Sequence, residues 1–241
     1  MCSYLEVKNM AINFKQMKET LYSGVIADIL DEYGYRNQVM TPNIRPLKED
    51  DIVVGRAFTC TAIDVCEIPA QPYKLELETV DSLQENDVLV AATNNSFSGF
   101  WGELLTTVAL KRGATGAVID GLSRDTRKIR NMDFPLFLTG FCPLDSKGRT
   151  DMILNQTPIL CGGVTVKPGD IIFGDYDGIV VIPSAIAEEV IEKSFEKVNS
   201  ENVVRDAILG GMSATEVYEK YHILKAAGCL KIYIKGVNAD V

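Results

Sequence analysis

The chain has 241 residues, 46% of them apolar and 24% charged, and a formal net charge of −9. That length suits one large globular domain or two small ones with a sizeable core, and the acidic balance disfavours a nucleic-acid partner, whose phosphates demand a basic surface. No apolar run reaches the roughly 18 residues of a membrane span, and the start MCSYLEVKNMAINFKQ lacks the apolar stretch of a signal peptide, so no membrane association and a cytoplasmic location are expected.

In chain order, Leu21, Val25, Ile29 and Tyr33 repeat at i, i+4 with Ile26 and Leu30 beside them, and Gly34 follows as a stop. This predicts an amphipathic helix with Asp28 and Asp31 on its wet face. Ile52 to Ile63, rich in β-branched residues, predicts a strand with a bulge at Gly55, and Asp87 to Ala92 predicts another. The loop TNNSFSGFWGE comes next, with turn-forming residues suited to close backbone approach to a ligand. Trp101, Leu104, Leu105 and Val108 then make a helical stripe, ended by Lys111, Arg112 and Gly113.

Gly116 to Asp120 predicts the following strand, completing a strand-loop-helix-strand unit of right-handed parallel type. Phe134 to Thr139, Val164 to Val166, Ile171 to Gly174 and Ile179 to Ile182 predict further strands. Lys167-Pro168-Gly169-Asp170 suits a type II turn, and Asp175 and Asp177 read as a structural turn rather than a calcium loop. From Ser184, taken as N-cap, a charged helix is expected to run to about Leu209, where Gly210-Gly211 ends it. Ser213 with Glu216 forms a capping box for a last short helix.

Six cysteines (Cys2, Cys60, Cys66, Cys142, Cys161, Cys229) lie scattered with no C-x-x-C pair and read as reduced, mostly buried thiols. His222 is the only histidine, which excludes a zinc site of several imidazoles and any Ser-His-Asp triad not built on His222 itself.

The chemistry concentrates in GAVIDGLSRD. An apolar strand ends in Asp120-Gly121 and delivers Arg124 and Asp125 at its carboxyl end, where open α/β sheets bind ligands. Before Arg124, across twenty intervening residues, stands Glu103, in the first turn of the predicted helix after Gly102. Free amides there, including those of Leu104 and Leu105, attract an anion such as a substrate carboxylate. Asp125 offers a hard oxygen ligand and Arg124 a forked donor, so the expected cation is Mg²⁺ or Mn²⁺ with several waters retained. The bland reading of an adjacent Arg-Asp is a surface ion pair.

The chain resembles the RraA-like superfamily, and within it the class II pyruvate aldolases acting on 4-hydroxy-4-methyl-2-oxoglutarate and 4-carboxy-4-hydroxy-2-oxoadipate. The matching segments are GRAFT (55–59), WGELL (101–105), GAVIDGLSRD (116–125), Phe134-Pro135, KPGDIIFGDYDGIVVIP (167–183) and the GMSATEVYEKY tail, so the likeness runs from about Lys18 to about Leu224. It implies one α/β domain, layered α/β/α around a central mixed sheet of the swivelling β/β/α type, with a core over about 18–183 and C-terminal helices over about 184–224. It also implies an acid, twenty residues and Arg-Asp, with Glu103 standing where those aldolases have Asp. In their image Asp125 holds the cation, Glu103 contacts it through water, and Arg124 donates to the carbonyl oxygen that becomes an enolate oxygen. Gly102, Leu104 and Leu105 complete the substrate site. The substrate is a 2-oxo acid, with oxaloacetate decarboxylation as a side activity. The resemblance further implies a homotrimer or dimer of trimers, with Glu201 approaching the site from a neighbouring subunit.

Competing functions are a decarboxylase or lyase for another 2-oxo acid and a non-catalytic regulator of a ribonuclease. A Schiff-base aldolase needs a desolvated lysine, whereas Lys111 and Lys167 are expected in solvent. A methyltransferase needs a glycine-rich nucleotide loop that the sequence lacks.

Overall fold

A computed structural model describes residues 12–221. In chain order the elements are α1 (Phe14–Thr20), α2 (Ser23–Glu32), β1 (Arg45–Pro46), β2 (Val53–Asp64), α3 (Lys74–Asp81), β3 (Asp87–Ala92), β4 (Gly99–Trp101), α4 (Glu103–Arg112), β5 (Gly116–Ser123), α5 (Thr126–Ile129), β6 (Leu136–Phe141), β7 (Thr150–Asn155), β8 (Ile159–Cys161), β9 (Val164–Val166), β10 (Ile171–Gly174), β11 (Ile179–Ile182), α6 (Ala187–Leu209) and α7 (Ala214–Tyr221). The main sheet is mixed, in the order β1-β6-β5-β3-β2-β10-β11, with β4 added to β5 and β7 to β2; β8 and β9 form a separate ribbon. The parallel β2-β3-β5-β6 core has α3, α4 and α5 in its connections.

The alternation of the strands assigns the two faces. Val54, Phe58, Cys60, Leu89, Ala117, Ile119 and Leu136 face the helices, in two clusters under α1-α2-α6 and under α3-α4. Val53, Ala57, Val88, Val118, Phe137, Ile172 and Val181 face the other way and pack with Ile159, Cys161, Val164 and Val166 of the β8-β9 ribbon. The α/β fold thus resolves into β/β/α layers, with a curved mixed sheet in the middle and α6-α7 as the helical extension. Strands buried on both faces read as unbroken apolar runs, as DVLVAA does in β3.

Several local expectations change. The helix expected from Leu21 to Tyr33 spans only Ser23–Glu32, because Leu21 and Tyr22 are extended and Asp175 accepts from Ser23 N at 2.8 Å and Ser23 Oγ at 2.7 Å, fixing the helix start. That contact also gives the DYDG turn a structural purpose, with Asp177 N donating to Asp175 Oδ1 at 3.0 Å. Gly55 is not a bulge: it pairs regularly with Ile172, and the register shift lies at Thr61/Ala62. It is glycine because a Cβ would sit 2.3 Å from Asn86 O.

Ser184 is not a helix cap either. Its N–H donates to Asp170 Oδ1 at 2.9 Å, Ser184–Ile186 form a 3₁₀ turn, and α6 begins at Ala187. The capping box of α7 is present, with Glu216 N donating to Ser213 Oγ at 3.3 Å and Ser213 N to Glu216 Oε2 at 2.9 Å. Asp28 and Asp31 are exposed, and Gly169 has the φ of +83° that a type II turn requires. Cys60, Cys142 and Cys161 are buried and free while Cys66 is exposed; Cys2, Cys229 and His222 lie outside the described residues. No helix among the described residues is long and apolar enough to cross a membrane.

Candidate active site

Trp101, expected on the helical stripe, instead ends the short strand β4. It is buried, stacks on Phe134 with ring centroids 6.3 Å apart, and donates its indole N–H to Thr106 Oγ1 at 2.8 Å. β4 lies parallel to the end of β5, and Arg124 N and Ser123 Oγ both donate to Trp101 O at 2.8 Å. This splint holds the start of α4 beside the Arg124-Asp125 loop, so two segments twenty residues apart meet at one sheet edge. Two glycines make the approach possible. A Cβ at Gly99 would lie 2.9 Å from Arg124 Cβ, and one at Gly102 would lie 3.1 Å from Asp125 Oδ2.

Gly102 is the N-cap of α4 and has no side chain to satisfy the helix amides; Glu103 N makes a long 3.4 Å bond to Asp125 Oδ2. Asp125 has φ +56°, in the left-handed region that Asp and Asn enter more readily than other residues with a Cβ. Arg124 Nη1 pairs with Asp145 Oδ1 at 3.1 Å, and its Nε lies 3.7 Å from Asp125 Oδ2. Glu103 Oε2 lies 3.6 Å from Lys128 Nζ.

These groups open onto a cavity of about 240 Å³ lined by Gly102, Leu104, Leu105, Arg124 and Asp125, together with Tyr73, Glu76 and Asp145. Of the expected residues, Gly102, Leu104, Leu105, Arg124 and Asp125 therefore meet at this cavity, whereas Glu103 is not among its lining residues and has its carboxylate beside Lys128 and Thr107. Leu104 is not part of a packed stripe: it is 73% exposed, and the buried face of α4 carries Thr106 and Ala109. Glu201 does not join the cavity within the chain; it sits on α6 and accepts a hydrogen bond from the Tyr22 hydroxyl.

Three lining groups are unmarked by the sequence pattern. Asp145 takes Arg124 from one side and the Tyr73 hydroxyl from the other. Tyr73 itself has φ +65°, a true outlier for an aromatic residue. Burial, then its bond to Asp145, pushes its phenol up to about 12. Glu76, in the first turn of α3, is only 6% exposed, and burial, with Asp145 and Asp151 adding repulsion, pushes its carboxyl up to about 7 against an opposing effect of Arg124.

Glu76 has a measurable signature. Its folded-state value lies above the ordinary 4.5, so folding takes up a proton between about pH 4.5 and 7, stability falls as pH rises through that window, and the penalty is complete above it. Relative to their difference at pH 4, Glu76→Gln should gain on the parent by roughly 2–3 kcal/mol at pH 8, at about 1.4 kcal/mol per unit. Urea unfolding at the two pH values checks this, and a parent that gains on the variant with rising pH would refute it.

A profile of the RraA-like family, described as Aldolase/RraA, matches residues 24–181. The chain is 32% identical over 208 residues to a protein of Halalkalibacterium halodurans named "Putative 4-hydroxy-4-methyl-2-oxoglutarate aldolase", covering 86% of this chain and 94% of that one. It is 30% identical over 210 residues to protein DlpA of Legionella pneumophila; the match takes in 87% of this chain and 34% of DlpA, so the chain spans about a third of that relative. Among solved structures, an uncharacterized protein of Pseudomonas syringae superposes with a TM-score of 0.77 at 27% identity, over 92% of this chain and all of that one. Streptomyces coelicolor RraAS2, described as an unusual member of the RNase ES inhibitor RraA family, superposes with a TM-score of 0.71 at 26% identity, over 80% and 96%.

Proposed function

The chain belongs to the RraA-like family, and on that premise we propose that it is a divalent-metal-dependent aldolase cleaving a 4-hydroxy-2-oxo acid to pyruvate and a second carbonyl compound. The observation that carries the reading is the forked guanidinium of Arg124, set between Asp125 and Asp145 beside the uncapped start of α4. Relatives named for 4-hydroxy-4-methyl-2-oxoglutarate aldolases support it.

The donor set suits the implied cation. A Cβ at residue 102 would crowd Asp125 Oδ2 at 3.1 Å, and among the described residues no group of three or more His, Cys, Asp or Glu gathers into a cage. A hard ion held by one or two carboxylates, with waters and substrate oxygens completing its shell, fits that arrangement; a caged zinc does not. Asp125 would hold Mg²⁺ or Mn²⁺ directly and Glu103 through water, although Glu103 must then share its carboxylate with Lys128. When bound, the cation supplies a Lewis acid for the 2-oxo group.

The chain's own residues account for the rest. The substrate carboxylate meets the free amides of Leu104 and Leu105 at the α4 N-terminus. Arg124 donates to the 2-oxo oxygen, and its hydrogen bonds strengthen as that oxygen gains enolate charge, so they act mainly on the transition state. Asp145 and Tyr73 hold the guanidinium in place. Loss of carbon dioxide from oxaloacetate produces the same enolate, so the protein should decarboxylate it as well.

The test is turnover of a panel of 4-hydroxy-2-oxo acids and oxaloacetate with Mg²⁺, following pyruvate. Absence of pyruvate from every substrate would sink the proposal. The likeness to RraAS2 favours a second reading, a ribonuclease regulator, which capture of a ribonuclease by a catalytically silent protein would support.

The site is also proposed to complete itself by assembly, as a homotrimer or dimer of trimers. Phe97 is 74% exposed, Phe141 65% and Leu104 73%, large apolar side chains that a subunit contact would cover. Light scattering should give a trimer or hexamer, and Glu201→Gln should then lower turnover. A stable, active monomer removes Glu201 from the site.

A further inference from the structure

The cavity beside Arg124 contains one carboxyl group that the mechanism above leaves unused. Glu76 is on the buried face of α3, with 6% of its surface exposed, and it lines the same cavity as Arg124, Gly102 and Leu105. Among the described residues its side chain has no hydrogen-bond or ion-pair partner. It is also not sealed, because Thr157 Oγ1 is the only buried side-chain polar atom there left both enclosed and unpartnered. The unpartnered carboxyl of Glu76 therefore keeps solvent access, on a residue that lines the cavity. A buried carboxyl without a partner is costly and is retained where a site uses it.

The other proton-bearing groups nearby are committed. Asp145 is held by Arg124 and Tyr73, Glu103 lies against Lys128, and Asp125 lies against Arg124 and the Glu103 amide. The Tyr73 hydroxyl donates to Asp145, and burial raises the Cys60 thiol of β2 beyond use. The only histidine, His222, lies outside the described residues.

We infer that Glu76 is the proton-transfer residue of this site, taking the proton of the substrate 4-hydroxyl and returning it to C3 of the enolate. This rests on reading the pocket as that of a pyruvate-forming aldolase. The step balances. The O–H bond breaks as the proton passes to the Glu76 carboxylate, C4 becomes a carbonyl, and the C3–C4 pair moves into the C2–C3 double bond while the 2-oxo oxygen takes the negative charge. In the second half C3 takes the proton from the Glu76 carboxylic acid, the C2 carbonyl re-forms, and pyruvate leaves with the carboxylate regenerated.

The surroundings suit both halves. Asp145 beside the cavity and Asp151 of β7 resist a second negative charge, Arg124 opposes them, and burial is the largest influence, so both forms of Glu76 are populated near neutral pH. A group balanced in this way is an effective acid and base at the same pH.

The test uses pyruvate alone. Full-length protein with Mg²⁺ in D₂O is followed by ¹H NMR for loss of the pyruvate methyl signal, which requires C3 protons to leave and return without any carbon–carbon cleavage. The parent should exchange. Glu76→Gln should exchange at least tenfold more slowly, with kcat for cleavage falling while KM stays within about threefold, and with the limb of the pH–rate profile near pH 7 lost. Glu76→Asp should recover part of the exchange. A Glu76→Gln protein with parental circular dichroism, parental exchange and an unchanged pH profile overturns the inference. Should Glu76→Gln fail to fold, a Glu76→Asp protein with the parent's exchange rate and pH profile overturns it equally. A parent that neither exchanges pyruvate nor cleaves any 4-hydroxy-2-oxo acid removes the aldolase reading first, and the role of Glu76 with it.

Discussion

Arg124→Lys should lower kcat for pyruvate formation by about 100-fold or more, the scale of losing one oxyanion donor, while leaving the fold unchanged. The guanidinium bridges two carboxylates, with Nη1 3.1 Å from Asp145 Oδ1 and Nε 3.7 Å from Asp125 Oδ2. A planar fork can hold both partners and still present an N–H edge to the cavity; a lysine ammonium at the end of a flexible stem satisfies one partner at a time. The substitution therefore keeps the charge and loses the direction. Because the interaction is expected to strengthen as the 2-oxo oxygen becomes an enolate, kcat should fall with kcat/KM rather than KM rising alone. Arg124 is about a third exposed, so its pairs contribute little to stability, and circular dichroism and the unfolding midpoint should stay near the parent's. A lysine variant that turns over oxaloacetate like the parent would reduce Arg124 to a surface ion-pair partner.

The meeting of the α4 start with Arg124 and Asp125 was legible because each sits at a junction that local chemistry marks. An apolar run stops at a turn, and a helix starts after a glycine. The capping box at Ser213 and the type II turn at Gly169 were legible for the same reason: a few adjacent residues decide them. What escaped depended on contacts distant in sequence. The start of α2 is set by Asp175, more than 150 residues away, so apolar periodicity alone ran the helix back through Leu21. The closest approach at Gly55 is to the Asn86 carbonyl, which no local pattern announces.

The Glu76 side of the pocket was hidden for a sharper reason. On α3 the pattern is inverted: Glu76, Thr79 and Val80 are buried, while Leu77 is more than half exposed at the cavity rim. Hydrophobicity alone would bury Leu77 and expose Glu76, and no element is predicted from the sequence over this stretch. Inversions of this kind are expected where a site overrides the rules that build the core.

The second large effect concerns Asp125. EDTA should abolish turnover and added Mg²⁺ or Mn²⁺ should restore it, since the proposed ligands are oxygens and the cation supplies the Lewis acid. Asp125→Asn keeps the size and one acceptor oxygen but removes the charge. Its defect should therefore appear as weakened metal binding, with activity recovering in part at high Mg²⁺, whereas Arg124→Lys should show no such rescue. Titration of Mn²⁺ into the protein without substrate, read by electron paramagnetic resonance, separates binding from catalysis and should show a dissociation constant at least tenfold weaker for Asp125→Asn. The left-handed backbone gives a control. Asn tolerates φ +56° as well as Asp does, so the variant loses the charge without disturbing the loop. Glu103→Asp should be milder than either, because it keeps a carboxylate that acts only through water and gives up reach toward Lys128. If Asp125→Asn binds Mn²⁺ like the parent, or if the demetallated protein is fully active, the carboxylate is not a metal ligand and its close approach to Arg124 and the Glu103 amide is its whole role.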